Sequence, residues 1–197
     1  MKNTLIISCH PYRKSFNASI VEMLVGGLET SDRDYIKIDL SADHFDPTYS
    51  EEELALYNEG KTNDKLVLKY QKILKSVDRV IMVYPIWWSD MPAILKGFFD
   101  KVMKFKFAFD YNDKGELVGK LGHIKKVTAI TTMETNEKEF ISSCGDSVRK
   151  LHLDTIWKQL GVKSYNWINA DGVVLNSEKN RKEFLLNILT LVSSNKI

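Results

Sequence analysis

Two cysteines, Cys9 and Cys144, are all the chain of 197 residues contains. Neither belongs to a C-x-x-C pair or to a Cys/His ligand spacing, which removes a structural zinc site from consideration. A disulfide joining them has no support from an oxidising context. Long apolar runs are missing too. The stretch before His10-Pro11 is too short for a signal-peptide core, and no segment is long enough to span a bilayer, so the expectation is a cytoplasmic protein without direct membrane insertion. An excess of one charge is also absent: the formal net charge is +2. That balance argues against a nucleic-acid partner or an anionic membrane surface. No internal repeat, low-complexity tract or linker interrupts the sequence. With 44% hydrophobic and 27% charged residues, the reading is one globular domain over residues 1–197.

What is present is an alternation of strand and helix patterns. Thr4–Cys9 reads as a buried strand. Phe16, Ile20, Met23, Leu24 and Leu28 follow at helical spacing, weakened near the end by Gly26-Gly27. A second strand is expected at Tyr35–Ile38, a polar and aromatic connection from Phe45 to Gly60, and a helix from Asp64 to Ser76. Arg79–Tyr84 is continuously apolar from Val80, as expected of a strand covered on both faces. Asp90 can cap the next helix, with Pro92 in its first turn. Phe105–Leu121 reads as a two-stranded excursion around an Asn112–Gly115 turn. Val127–Thr131 is a fourth strand, Ser147–Leu160 a helix ended by Gly161, Val162–Asn169 a fifth strand and Glu178–Val192 the last helix. Five strands alternating with helices predict a doubly wound α/β fold with a five-stranded parallel sheet and helices on both faces.

In such sheets ligands bind beyond the carboxyl ends of the strands, which directs attention to three loops. The first, Ser8–Ile20, has neither G-x-G-x-x-G nor G-x-x-x-x-G-K-[ST], so it is no nicotinamide Rossmann turn and no P-loop. It offers Ser15, Asn17 and the free N–H groups of a helix start, a place that favours an anion. Plain capping, with Phe16 in the core, is the competing reading. The second loop holds Trp87 and Trp88 after a buried strand, where a flat aromatic can cover a flat ligand or pack at a subunit contact. The third begins with Thr131 and Thr132, which are equally at home as ordinary β-branched strand residues.

Taken together, His10-Pro11-x-x-x-Ser15-Phe16-Asn17, Pro85-Ile86-Trp87-Trp88 and Met91-Pro92-Ala93-Ile94-Leu95-Lys96-Gly97-Phe98 resemble the flavodoxin-like NAD(P)H dehydrogenase (quinone) family. That family includes quinone reductases, the modulator-of-drug-activity B type and regulatory subunits of potassium-efflux systems. Phe45-x-Pro47 and the hairpin also sit where the family has similar segments. The resemblance implies a flavin, FMN or alternatively FAD, with NAD(P)H as co-substrate, a quinone-like acceptor and a homodimer. It places His10, Ser15, Phe16 and Asn17 at the flavin phosphate. Pro85, Ile86, Trp87 and Trp88 would lie along the ring, and Thr131, Thr132, Met133 and Glu134 at its pyrimidine side. The family pattern after strand four is Thr-Thr-Gly-Gly; here Met133 and Glu134 replace the glycines, so they must tilt away or alter flavin geometry. Glu134 would also oppose an anionic reduced ring. Mammalian members use a Tyr and a His beyond this loop, where this chain has Phe140 and Cys144, so no catalytic side chain is assigned. A regulatory subunit of a potassium-efflux-type transporter is the alternative. An electron carrier of flavodoxin type is disfavoured because flavodoxins are acidic.

Overall fold

In a computed structural model describing residues 3–197, the alternating pattern becomes a five-stranded parallel sheet. Met1 and Lys2, part of the expected 1–197 domain, lie outside the described residues. The strands are β1 (Asn3–Ser8), β2 (Tyr35–Asp39), β3 (Val77–Pro85), β6 (Lys126–Thr132) and β7 (Tyr165–Ala170), with β4 (Phe109–Tyr111) and β5 (Leu117–Gly119) forming an antiparallel hairpin. Their order is β2-β1-β3-β6-β7. The chain starts near the middle, winds to one edge, then crosses β1 and winds to the other. The crossover places the ends of β1 and β3 side by side, and β6 next to β3.

The pleat divides the core. Leu5, Ile7, Val80, Met82, Tyr84 and Ala129 face one side; Ile6, Ile81, Val83 and Ile130 face the other. Successive side chains of a strand point to opposite faces, which is why these strands read as unbroken apolar runs. Helices α1 (Phe16–Thr30) and α6 (Glu178–Ser193) cover the second face. Helices α3 (Lys65–Ser76) and α4 (Ala93–Val102), with α5 (Glu137–Cys144) and a π-helical segment, Val148–Trp157, cover the first. Among the described residues, no helix is long and apolar enough to cross a membrane.

Several expectations need correction. Helix α1 continues through Gly26-Gly27 to Thr30, and a Cβ at Gly27 would stand 2.2 Å from Val192 Cγ1, so this glycine is where α6 approaches. Asp90 does not cap α4: Pro92 holds the cap position, and no side chain caps the helix. The connection after Phe45 contains α2 (Glu51–Ala55), capped by Ser50, and a 3-10 turn, Tyr57–Glu59. Helix α5 was not expected, and the helix read from Ser147 to Leu160 is π-helical over Val148–Trp157.

The motif Met91–Phe98 acquires a packing reason. A Cβ on Gly97 would lie 2.4 Å from the Pro47 carbonyl oxygen, so the strap carrying Phe45 and Pro47 crosses α4 at the one residue without a side chain. Two buried lysines of this region fasten the strap. Lys101 Nζ donates to Asp46 O at 2.8 Å and pairs with Asp64 at 3.0 Å, and Lys104 Nζ donates to Lys61 O at 2.7 Å. Buried ammonium groups persist only when satisfied in this way.

Candidate functional site

The carboxyl ends of β1, β3 and β6 open into a cleft of about 920 Å³, within the range of about 300–1,000 Å³ occupied by small-molecule and cofactor sites. His10, Ser15, Phe16, Asn17, Pro85, Ile86, Trp87, Trp88, Thr132, Met133 and Glu134 all line it. Thr131 does not. It is fully buried, donates from Oγ1 to Asn169 Oδ1 at 2.8 Å and accepts from Trp167 Nε1 at 2.7 Å, so it ties β6 to β7 behind the cleft. Ser89, Thr135, Phe140, Val173 and Val174 also line the wall. The available signal for the last two was an apolar pair in the polar loop after strand five.

The first loop is built from local bonds. The N–H of Tyr12 donates to His10 Nδ1 at 3.1 Å, which leaves the ring proton on Nε2. Burial lowers the His10 pKa, favouring this neutral form. The N–H of Ser15 donates to Tyr12 O at 3.0 Å, and Ser15 Oγ accepts from the N–H of Ala18, capping α1. Phe16 and Asn17 are the first two helical residues, so their N–H groups have no acceptor within the helix. Asn17 Nδ2 donates to Thr132 Oγ1 at 2.8 Å, joining the first loop to the third. Its Oδ1 is buried without a partner. A buried amide oxygen left unmatched is costly, and here it belongs to a residue of the cleft wall. Phe16 packs on Phe184 of α6 at 5.9 Å, so it serves both core and cleft.

The second loop is a tight hairpin. Trp87 N–H donates to Asp90 O at 2.9 Å and Asp90 N–H to Trp87 O at 3.1 Å, while Trp88 and Ser89 between them have φ of 50° and 66°. Two successive left-handed residues make a type I′ turn, usually supplied by Asn and Gly. Trp88 is fully exposed and Trp87 about half-buried; Trp87 meets the His10 ring edge-on at 5.8 Å. Neither tryptophan is packed beneath a neighbouring loop. Ile86 N–H donates to Thr132 O at 2.8 Å, fixing this loop against β6.

A family model described as the flavodoxin-like fold matches residues 2–191. The chain belongs to that family. Among curated relatives of this flavodoxin-like chain, NAD(P)H dehydrogenase (quinone) 1 of Rattus norvegicus is 31% identical over 152 residues, 67% of this chain and 54% of the relative. The chain thus spans about half the length of that relative. An uncharacterized NAD(P)H oxidoreductase of Haemophilus influenzae is 28% identical over 184 residues, covering 93% and 90% of the two chains. An FMN-dependent NADH:quinone oxidoreductase of Coprothermobacter proteolyticus is 27% identical over 139 residues, 68% and 67% of the two. Of solved structures, the NAD(P)H:quinone oxidoreductase of Methanothermobacter marburgensis superposes with a TM-score of 0.87 at 25% identity, covering 100% of this chain and 98% of its own.

In this flavodoxin-like protein the third loop accommodates side chains where glycine was expected. Neither Met133 nor Glu134 has a positive φ, so neither is strained there. Met133 N–H donates to Ala170 O at 3.0 Å and its carbonyl accepts from Val173 N–H at 3.1 Å, pinning the loop to the end of β7. Met133 is 5% exposed, whereas Glu134 is exposed on the wall.

Proposed function

We propose that the chain is a flavin-dependent NAD(P)H oxidoreductase that passes two electrons to quinones or similar flat acceptors, nitroaromatic and azo compounds among them. FMN is the proposed cofactor. One observation carries the reading: a single cleft pairs the open N-terminus of α1 with an uncovered indole. The first suits a phosphate, the second a flat ring, and FMN has one of each. The orphaned Asn17 Oδ1, on a residue of the same cleft wall, fits a ligand carrying hydroxyl donors.

In this reading the N–H groups of Phe16 and Asn17, with Ser15, hold the phosphate. Pro85, Ile86, Trp87 and Trp88 flank the ring, and Thr132, Met133 and Glu134 bound its far edge. When bound, the flavin supplies the redox chemistry, taking hydride from NAD(P)H and returning two electrons to the acceptor. The chain's residues position the ring, and with one cleft for both substrates the nicotinamide leaves before the acceptor enters, giving ping-pong kinetics. The relatives named for quinone reduction support this assignment, as does the fold of the Methanothermobacter marburgensis NAD(P)H:quinone oxidoreductase, which agrees with this one over the full chain. We place the protein in the cytoplasm, where its free thiols Cys9 and Cys144 persist, as a homodimer.

The exposed Glu134, standing where the family resemblance led us to expect glycine, supports a second reading: a flavin-binding regulatory subunit of a potassium-efflux-type transporter with slow turnover. One experiment separates the two. Purified protein is loaded with FMN or FAD, desalted, and mixed anaerobically with NADPH or NADH. The oxidoreductase reading expects retained flavin colour that bleaches with nicotinamide and returns with a quinone. Retained colour that does not bleach favours the regulatory reading. Loss of both flavins on desalting contradicts both.

A further inference from the structure

The turn that presents Trp88 is strained, and something outside it must hold it. Non-glycine residues persist in left-handed conformations only where the surroundings over-determine them. Three bonds reach the Trp87–Asp90 turn from one remote stretch. Cys144 Sγ donates to Ser89 Oγ at 3.1 Å, Ser147 Oγ donates to Ser89 O at 3.1 Å, and His152 Nε2 bonds Asp90 Oδ1 at 2.7 Å. The first two stand in water; His152 is 0% exposed.

The ring of His152 is anchored on its other side as well. Its Nδ1 lies 3.0 Å from Tyr84 Oη, and Tyr84 is fully buried on β3. The chemistry settles the tautomer. A carboxylate only accepts, so Nε2 carries the proton and donates to Asp90, while Nδ1 accepts from the Tyr84 hydroxyl. Burial lowers the His152 pKa and so favours the neutral ring that this pattern requires. A rigid chain results: sheet, Tyr84, His152, Asp90, tryptophan turn. His152 lies within the π-helical segment Val148–Trp157, a geometry that recurs at functional sites. Asp90 reaches it in place of the helix-capping role its sequence position favours, leaving α4 without a side-chain cap.

We infer that His152 is a positioning residue, which through Asp90 locks the Trp87–Asp90 turn and thereby sets the aromatic wall of the cleft. Its consequence for catalysis rests on the flavin reading above; its consequence for the turn does not.

The test uses Asp90, because emptying a fully buried position such as His152 can unfold a chain. Asp90→Ala removes the bond, together with the one that Asp90 Oδ1 accepts from Met91 N–H at 2.7 Å, and Asp90→Asn restores an acceptor of the same shape. In ligand-free protein labelled with 5-fluorotryptophan, the fluorine resonance of Trp88, assigned with Trp88→Phe, is expected to shift or broaden in Asp90→Ala. It should return in Asp90→Asn, while those of Trp157 and Trp167 stay in place. In the FMN-loaded enzyme, the quinone KM should rise about tenfold in Asp90→Ala with kcat within about twofold, and recover in Asp90→Asn. An unmoved Trp88 resonance overturns the inference, as does an unchanged KM in a flavin-loaded variant. If wild-type protein retains no flavin, the functional proposal falls, and the resonance alone decides the role of His152.

Discussion

The two neighbouring loops that line the cleft, in contact through His10 and Trp87, are held in opposite ways. Residues 10–18 tie themselves down through bonds among His10, Tyr12, Ser15 and Ala18, and none of them has a positive φ. The Trp87–Asp90 turn has two left-handed residues and is held by Cys144, Ser147 and His152, more than fifty positions away. A loop relaxed by its own residues can hold a ligand wherever a helix starts. A strained loop is held by the fold, and the turn so held carries an exposed tryptophan.

The comparison breaks most sharply at Trp88. Trp88→Ala should raise the FMN dissociation constant about thirtyfold, about 2 kcal/mol, without lowering the melting temperature, because the free indole touches little. Flavin titration and a thermal melt check both; unchanged affinity removes Trp88 from the site. Next is acid. With the pKa of His152 lowered by burial, the unfolded chain binds its proton more readily. Stability is therefore full above the ordinary value of 6.5 and falls as pH drops below it. Asp90 and Tyr84 face the ring, and the Asp90 carboxylate opposes the shift. In a His10→Gln background, which removes another imidazole of lowered pKa, urea unfolding should lose up to about 1.4 kcal/mol per pH unit below that value. A flat profile there would mean that His152 titrates normally.

Smaller effects sharpen the contrast between the loops. Ser15→Ala should cost about 1 kcal/mol, or about 2–4 °C in melting temperature for a chain of this size, because it removes the cap that the first loop supplies to itself. Ser89→Gly should do the reverse, gaining about 0.5 kcal/mol by relieving a left-handed side chain. A loss of stability there would show that the Cys144 Sγ–Ser89 Oγ bond, which the substitution removes, outweighs the strain.

The same contrast explains what could be read in advance. The sheet, its helices on both faces and the first loop's cap all depend on neighbours in sequence, and periodicity or a helix-start signature exposes them. The purpose of Gly97 depends on Pro47, and that of Gly27 on Val192; neither contact is visible along the chain. Asp90 looks like a cap because the residue that diverts it, His152, lies 62 positions on. Helix α5 escaped notice because Phe140 is its one buried residue, too little to show a stripe. The residues that the family resemblance assigned to a ligand line the cleft with one exception, whereas Ser89, Thr135, Phe140, Val173 and Val174, which line it too, belong to no motif. Thr131 is the residue placed elsewhere, because the pleat turns it toward Asn169 and Trp167 rather than the cleft.

A crystal structure of the chain grown with saturating FMN tests the central claim most directly. The account predicts the phosphate within hydrogen-bond distance of the Phe16 and Asn17 N–H groups, a ribityl hydroxyl on Asn17 Oδ1, and the ring against Trp88. FMN bound elsewhere, or none in the cleft at saturation, would contradict it.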